Sequence, residues 1–440
     1  MTRVQNGKFD LPTGGVGFVE SANAVPLVSM VLTLRSGAGG DPEGKDGLSR
    51  ITGRMLRRGC EGMKASEIDE AIDGLGGELG VDVGPTTTSF HAQVIRRNLE
   101  PFCELLTKLF STPTFDEEEL ARLRRETIAE VIEARDNDRS LGGMAFRRAL
   151  FAGHPYSRSA VGRPSTLERI ERADAIEAYK TRFVGENAVI GFAGAISEDE
   201  AKRLGEKVVG ALPRGTKTVQ EVPETSFPKP GRHLVFVDKP DRTQTPILMG
   251  SLGTWPRDPD HFALVIATAI FGGTFTSRMM KEIRSKRGWS YGTSARLSLE
   301  QRRHAFVMSA APGAADCAPC AKLEIELLET LVEKGVTPRE LSFIKNFMVR
   351  SHAFDVDTAP KRLGHALETE LLHLPADYHS GYLEHVKAVD VEHANAALKA
   401  RLDPKNLVIT IVGTASEILD KVKASIPDLA SHTVIPFDAE

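Results

Sequence analysis

Cysteine is scarce, with four residues in 440, too few to staple a disulfide scaffold. Only Cys317 and Cys320, in "CAPC", lie close together. Without a second ligand pair or a thioredoxin-like strand beside them, they read as helix-start thiols or an incidental disulfide rather than a zinc or redox site. Excess charge of one sign is missing too: 56 Lys and Arg stand against 60 Asp and Glu, a formal net charge of -4. That leaves no broad basic field, so no nucleic-acid partner is expected. No apolar run reaches the roughly 18 residues of a membrane span; "FALVIATAIF" and "PLVSMVLTL" fit a buried helix and a buried strand. The first residues, "MTRVQNGKFDLPTGG", lack the apolar core of a secretory signal. The compartment therefore stays open: cytoplasmic by that absence, periplasmic if a leader has been removed.

What the chain does contain is an ordinary globular mixture, 41% hydrophobic and 26% charged, at a length that calls for more than one core. It also repeats itself. "NAVIGFAGAISEDEA" from Asn187 and "NLVITIVGTASEILD" from Asn406 each read as an Asn, a strand, a Gly and a Ser that could cap a helix. "FDEEELARLRRE" from Phe115 and "VTPRELSFIKNF" from Val336 each read as a turn entering a charged amphipathic helix. The helices "DAIEAYKTRF" and "VEHANAALKARL" precede the Asn strands in both cases. Three pairs in one order predict two similar halves, with domains at 1-211 and 233-440 and a Pro/Gly/Thr-rich linker at 212-232. Within each half, runs of adjacent strands precede helices, so the expected class is α+β, each half a mainly antiparallel sheet packed with helices.

The stretch "GLSRITGRMLRRGC" starts as an amphipathic helix with Arg50 and Arg54 four residues apart on one face. Together with "LRSGAGGDPEGKDGL" before it, "STPTFDEEELARLRRETIAEVIEARDN" and "GHPYSRSAVGRP" after it, and "FGGTFTSRMMKEIRSKRGWSYGTSA" in the second half, it resembles the pitrilysin/insulinase family of zinc metallopeptidases. The resemblance spans nearly the whole chain and implies one half of a clamshell. It also implies that the H-x-x-E-H positions of active members fall here on Arg50, Gly53 and Arg54, and that the two carboxylates beyond the metal helix fall on Glu126 and Glu133. Guanidinium has no lone pair to give a metal. A dication about 5 Å from one such cation meets a repulsion on the order of several kcal/mol. No metal or other cofactor is expected in this chain, and Glu126 or Glu133 could pair with Arg50 or Arg54 in its place.

The same resemblance implies that Arg284 and Tyr291, in "RSKRGWSY", serve the peptide: the Tyr hydroxyl donating to the scissile carbonyl as it becomes an oxyanion, the Arg fork holding a backbone carbonyl. Arg287-Gly288 reads as a helix end, with Arg284 in the last turn and Tyr291 on the following strand. Ser277 and Arg278 read as helix-start residues. His365, Glu368, Glu370 and His373 read as surface or packing residues, since no second Glu-x-x-His pair accompanies them, and His154 as a turn residue. "GGELGVDVGPTTTSFHAQVI" resembles the family's peptide-pairing edge strand, with Gly84-Pro85 expected to interrupt its ladder. The functional expectation is a non-zinc subunit: a homologous H-x-x-E-H partner brings zinc and its base in a heterodimer around an unfolded peptide, and this chain brings Arg284 and Tyr291. An inert scaffold or peptide-binding protein of the same fold is the alternative, and a stand-alone peptidase with another site is the third reading.

Overall fold

A computed structural model describes residues 7-217 and 220-440. The strands are β1 (Gly7–Asp10), β2 (Val16–Ser21), β3 (Leu27–Leu34), β4 (Gly59–Cys60), β5 (Met63–Lys64), β6 (Gly77–Val83), β7 (Thr88–Ile95) and β8 (Ala188–Gly194). They are followed by β9 (Arg232–Asp238), β10 (Ile247–Leu252), β11 (Thr293–Leu297), β12 (Ala305–Ala310), β13 (Leu407–Gly413) and β14 (Leu429–Pro436). Two six-stranded sheets result, ordered β1-β2-β8-β3-β7-β6 and β11-β12-β10-β13-β9-β14. Both are mainly antiparallel; β2 with β8, and β9 with both β13 and β14, run parallel. The α+β class and the doubling are both realised: β2-β8-β3-β7-β6 in the first half matches β9-β13-β10-β12-β11 in the second. In the capping detail the repeats differ. The Ser197 side chain accepts from the Glu200 N–H, whereas in the second half Thr414 holds the cap position and Ser416 is already inside the helix.

The apolar runs of β8 and β13 explain the packing. Nearly every residue in both is buried, which requires cover on both faces. One face of each sheet carries its own half's main core. The other face is covered by a helix from the opposite half. Leu363 and Leu367 of the helix Ala359–Leu371 pack on Phe18, Val189 and Ala193 of the first sheet. Leu141 and Ala145 of the helix Asp138–Leu150 pack on Val237 and Val412 of the second. Two glycines make room: a Cβ on Gly191 would stand 2.7 Å from Leu363 Cδ1, and one on Gly142 2.9 Å from Leu248 Cδ1. Ion pairs clamp both helices, Arg362 to Glu20 at 3.1 Å and Lys239 to Asp138 at 2.7 Å. Glu20 and Lys239 are 219 residues apart, the offset between Asn187 and Asn406.

Residues 212-232 thread between the halves, apart from 218-219, which lie outside the described residues. Gln220 Nε2 donates to Pro85 O, while Arg302 Nε donates to Val222 O and Thr225 Oγ1 to Arg303 O. The Gly84-Pro85 expectation is corrected here. Both residues lie in the turn between β6 and β7, closed by Gly84 N to Thr87 O at 2.8 Å, so Pro85 costs the ladder nothing and β6 is an uninterrupted edge strand. Among the described residues no helix is long and apolar enough to cross a membrane.

Candidate functional site

The helix Leu48–Met55 begins at Gly47, whose φ of 97° suits glycine. The buried Asp41 carboxylate receives the N–H groups of Gly47 and Ser49, at 3.1 and 3.0 Å, and fixes the first turn. Leu48, Ile51 and Met55 point into the core, leaving Arg50 and Arg54 on the opposite face, followed by Arg57 and Arg58 in the next turn. Against them lies the helix Glu117–Glu133, started by Asp116 accepting from Glu118 N and Glu119 N.

The facing carboxylate is Glu130, not Glu126 or Glu133. Arg50 Nη2 reaches Glu130 Oε2 at 2.9 Å and Arg54 Nη2 reaches Glu130 Oε1 at 3.0 Å, with Arg54 Nη1 also on Thr127 Oγ1 at 3.1 Å. Arg58 pairs with Glu126 at 2.5 Å and with Glu119 at 3.6 Å. As the arginine numbers rise the carboxylate numbers fall, so the two helices run antiparallel. Glu133 therefore overshoots the start of the arginine helix and is exposed. Burial would raise the Glu130 carboxyl, but hydrogen bonds from Arg50 and Arg54 outweigh it and hold it below its ordinary value. Spacing could have found Glu130, one turn from both Glu126 and Glu133, but which of the three faces Arg50 depends on the register between helices. Arg57 and Arg58 complete a cavity of about 320 Å³ lined by the four arginines, Asp69 and Val81. Arg57 also donates to the Leu79 carbonyl on the edge strand β6.

This constellation does not fit zinc. The two positions that the family resemblance assigns to imidazole carry cations already paired to the one facing carboxylate. Gly53 offers no base, and a Cβ there would stand 2.9 Å from Val81 Cγ1. Among the described residues no group of three or more His, Cys, Asp or Glu is placed to hold a metal ion. Removing the arginines should reverse this. The variant Arg50→His/Arg54→His, with Glu130 as third ligand, is expected to take up about one zinc per chain by elemental analysis where the wild type takes none. Uptake unaffected by adding Glu130→Ala would show that the carboxylate is not where the site needs it.

Arg284 and Tyr291 are brought together. The segment Met280–Ser285 is wound as a π-helix, a turn wider than the α-helix. It ends at Gly288, φ 67°, with Gly288 N on Arg284 O and Trp289 N on Ile283 O. Tyr291 is not on the strand as expected: β11 begins at Thr293, because Ser290, buried and bonded to Gly292 O and to Ala311 N, holds a bend before it. The Arg284 guanidinium lies 4.4 Å from the Phe275 ring centroid and 4.9 Å from that of Tyr291, a cation between two aromatic faces. Phe275 is 72% and Tyr291 90% exposed. Arg287 is committed to Glu282 and Arg278 to Glu340, while the Arg284 N–H groups make no hydrogen bond or ion pair among the described residues. Sequence reasoning missed Phe275, an exposed aromatic in a Gly/Thr loop.

The minor candidates settle into structural roles. Ser277 Oγ accepts from Met280 N at 3.4 Å, and His154 Nδ1 accepts from Tyr156 N within its turn. His365 stacks on His379, which meets Glu368 at 2.9 Å, and Glu370 pairs with Lys8 and Arg35. Cys317 and Cys320 are buried thiols, not joined in a disulfide, in the first turn of their helix; burial pushes Cys317 up to about 12 and Cys320 up as well, so neither is a ready nucleophile.

Residues 18-163 match the family model described as Insulinase (Peptidase family M16), and residues 169-348 the one described as Peptidase M16 inactive domain. An uncharacterized zinc protease of Rickettsia bellii is 24% identical over 275 residues, 62% of this chain and 65% of that protein, so the chain spans just under two thirds of it. The non-peptidase homolog YmxG of Helicobacter pylori is 20% identical over 394 residues, 89% of this chain and 90% of that one. A solved structure described as the peptidase M16 inactive domain from Pseudomonas fluorescens has the same fold, with a TM-score of 0.85 at 23% identity, covering 93% of this chain and 98% of that one.

Proposed function

Since the chain belongs to the M16 peptidase family, the pitrilysin/insulinase family, yet carries Arg50, Gly53 and Arg54 on its motif helix, we propose that it is the non-zinc subunit of a two-chain metallopeptidase. A homologous H-x-x-E-H subunit brings zinc and a base; this chain brings Arg284 and Tyr291 and helps enclose an unfolded peptide. On this reading residues 1-211 and 233-440 are its two domains, joined by 212-232.

The observation that carries the reading is the Phe275–Arg284–Tyr291 stack: an exposed aromatic pair orienting a guanidinium whose donors have no partner among the described residues. Stacking fixes the plane of the fork while leaving its edge open to a peptide carbonyl. The Tyr291 hydroxyl, on a bend held by Ser290, can donate to an oxygen that gains negative charge in the transition state. The edge strand β6 offers backbone groups along which an extended peptide can lie.

The test mixes the chain with its zinc-bearing partner and a peptide substrate. Tyr291→Phe is expected to lower kcat about 100-fold with little change in KM, because the hydroxyl serves the transition state more than the ground state. Full rate with Tyr291→Phe and with Arg284→Ala would move the chain to the scaffold reading.

A further inference from the structure

The cross-packed helix Asp138–Leu150 creates a second cavity, of about 450 Å³, where it meets the second sheet. Its apolar lining comes from Leu141, Met144 and Ala145 on the helix and from Val237 and Ile435 on the sheet. Arg147, one turn beyond Gly143 on that helix, lines it too. It is partly buried, its Nε is buried with no hydrogen-bond partner, and it forms no ion pair among the described residues. The acids in the same lining are engaged elsewhere or do not reach it. Asp46 is held by Arg158 at 2.6 Å and Arg163 at 2.7 Å, the Glu440 side chain accepts from Ser165 N, and exposed Glu43 makes no ion pair with Arg147.

Buried Arg35 has Glu370, and half-buried Arg362 and Arg401 have Glu20 and Asp260, whereas Arg147, like half-buried Arg135 in the same lining, makes no ion pair among the described residues. Arg147 has only desolvation, which lowers its pKa. A guanidinium stays charged over the working pH range, so this one holds an uncompensated positive charge in a poorly solvated place. Its neighbour His304 cannot compensate: buried first of all, and next to the Arg147 charge, that imidazole is pushed down to about 4 and is neutral. Its Nδ1 is also buried without a partner. The result is a cavity of ligand size with an apolar wall and, on that wall, a cation lacking its counter-ion.

We infer that this seam cavity is a binding site for a carboxylate with an apolar body, whose charge pairs with Arg147 and whose body lies against Leu141, Met144, Val237 and Ile435. The carboxylate can belong to a free aliphatic acid or to the C-terminal residue of a peptide, since both present the same chemistry. The site is separate from the Arg50/Arg54 cluster and from Arg284, and does not depend on the proposed peptidase role.

Calorimetric titration of the full chain with octanoate and octanol, and with N-acetyl-Ala-Leu as free acid and as amide, separates the two sources. At least one acid is expected to bind about tenfold or more tightly than its neutral counterpart, and Arg147→Met to remove that preference while leaving the ligand-free melting temperature unchanged or higher. Neutral and acidic ligands binding equally, no binding of either acid at millimolar concentration, or an undiminished acid preference in Arg147→Met would each overturn the inference. Should Arg147→Met fail to fold, the acid–neutral comparison on the wild type decides alone.

Discussion

Glu324→Leu is expected to raise the melting temperature, and to raise it more at pH 9 than at pH 5. Glu324 lies in the middle of the helix Cys317–Lys334, fully buried, with neither carboxyl oxygen hydrogen-bonded among the described residues. Burial pushes its pKa from 4.5 up to about 8, so near neutrality the group is a protonated acid in an apolar core. Between pH 4.5 and 8 the folded chain holds this proton and the unfolded chain does not. Stability from this group therefore falls as pH rises through that window, and the full cost of a buried charge is reached above about 8. Leucine removes both the desolvated polar group and the titration. The gain is expected to be about 2 kcal/mol at pH 5, typical of an unsatisfied buried polar group, and about 4 kcal/mol larger at pH 9. Thermal unfolding of wild type and variant across that range reads the difference directly. A gap independent of pH would mean that the carboxyl finds a partner in solution.

Leu363→Ala is expected to cost about 2–5 kcal/mol, the range for deleting a buried leucine side chain. The side chain is 2% exposed and fills the space left open above Gly191. Its partners belong to the other half of the chain, so the loss should also uncouple the halves. Both tryptophans, Trp255 and Trp289, lie in the second half, so their fluorescence follows that half alone while far-ultraviolet circular dichroism follows both. In the wild type the two signals should report one unfolding transition in urea; in Leu363→Ala the dichroism should begin to fall at lower urea than the fluorescence. Coincident, unshifted transitions in the variant would show that the helix Ala359–Leu371 contributes little to the first sheet.

Much of the architecture was legible because it rests on local pattern. The Asn strands, the capped helices and their common offset appear in the sequence as periodicity and punctuation, and the fold repeats them. What was not legible depends on register between elements. Glu126 and Glu133 have the right residue type and spacing for a carboxylate opposite the arginines, but the antiparallel slide of two helices selects Glu130 instead. Gly84-Pro85 carries the composition of a strand break, and it is a hairpin turn, because a one-dimensional pattern does not say where β6 stops. That Arg50 and Arg54 cannot ligate a metal, by contrast, follows from side-chain chemistry alone, while their standing at the family's ligand positions is what the resemblance implies. Phe275 and Arg147 were invisible for a further reason: an exposed ring and a missing counter-ion are properties of surroundings, not of residue type.

The exchange of helices between the two sheets constrains how this molecule can move. Swinging the first sheet away from the second would strip the helix Ala359–Leu371 from Phe18 and Val189 and, in the same motion, the helix Asp138–Leu150 from Val237 and Val412. Each half would then bare an oily face that its own sequence cannot cover. Opening a hinge inside the chain would therefore cost the burial of both faces at once, and on the two-chain reading proposed above the admission of a polypeptide would be governed by how firmly the two chains hold together.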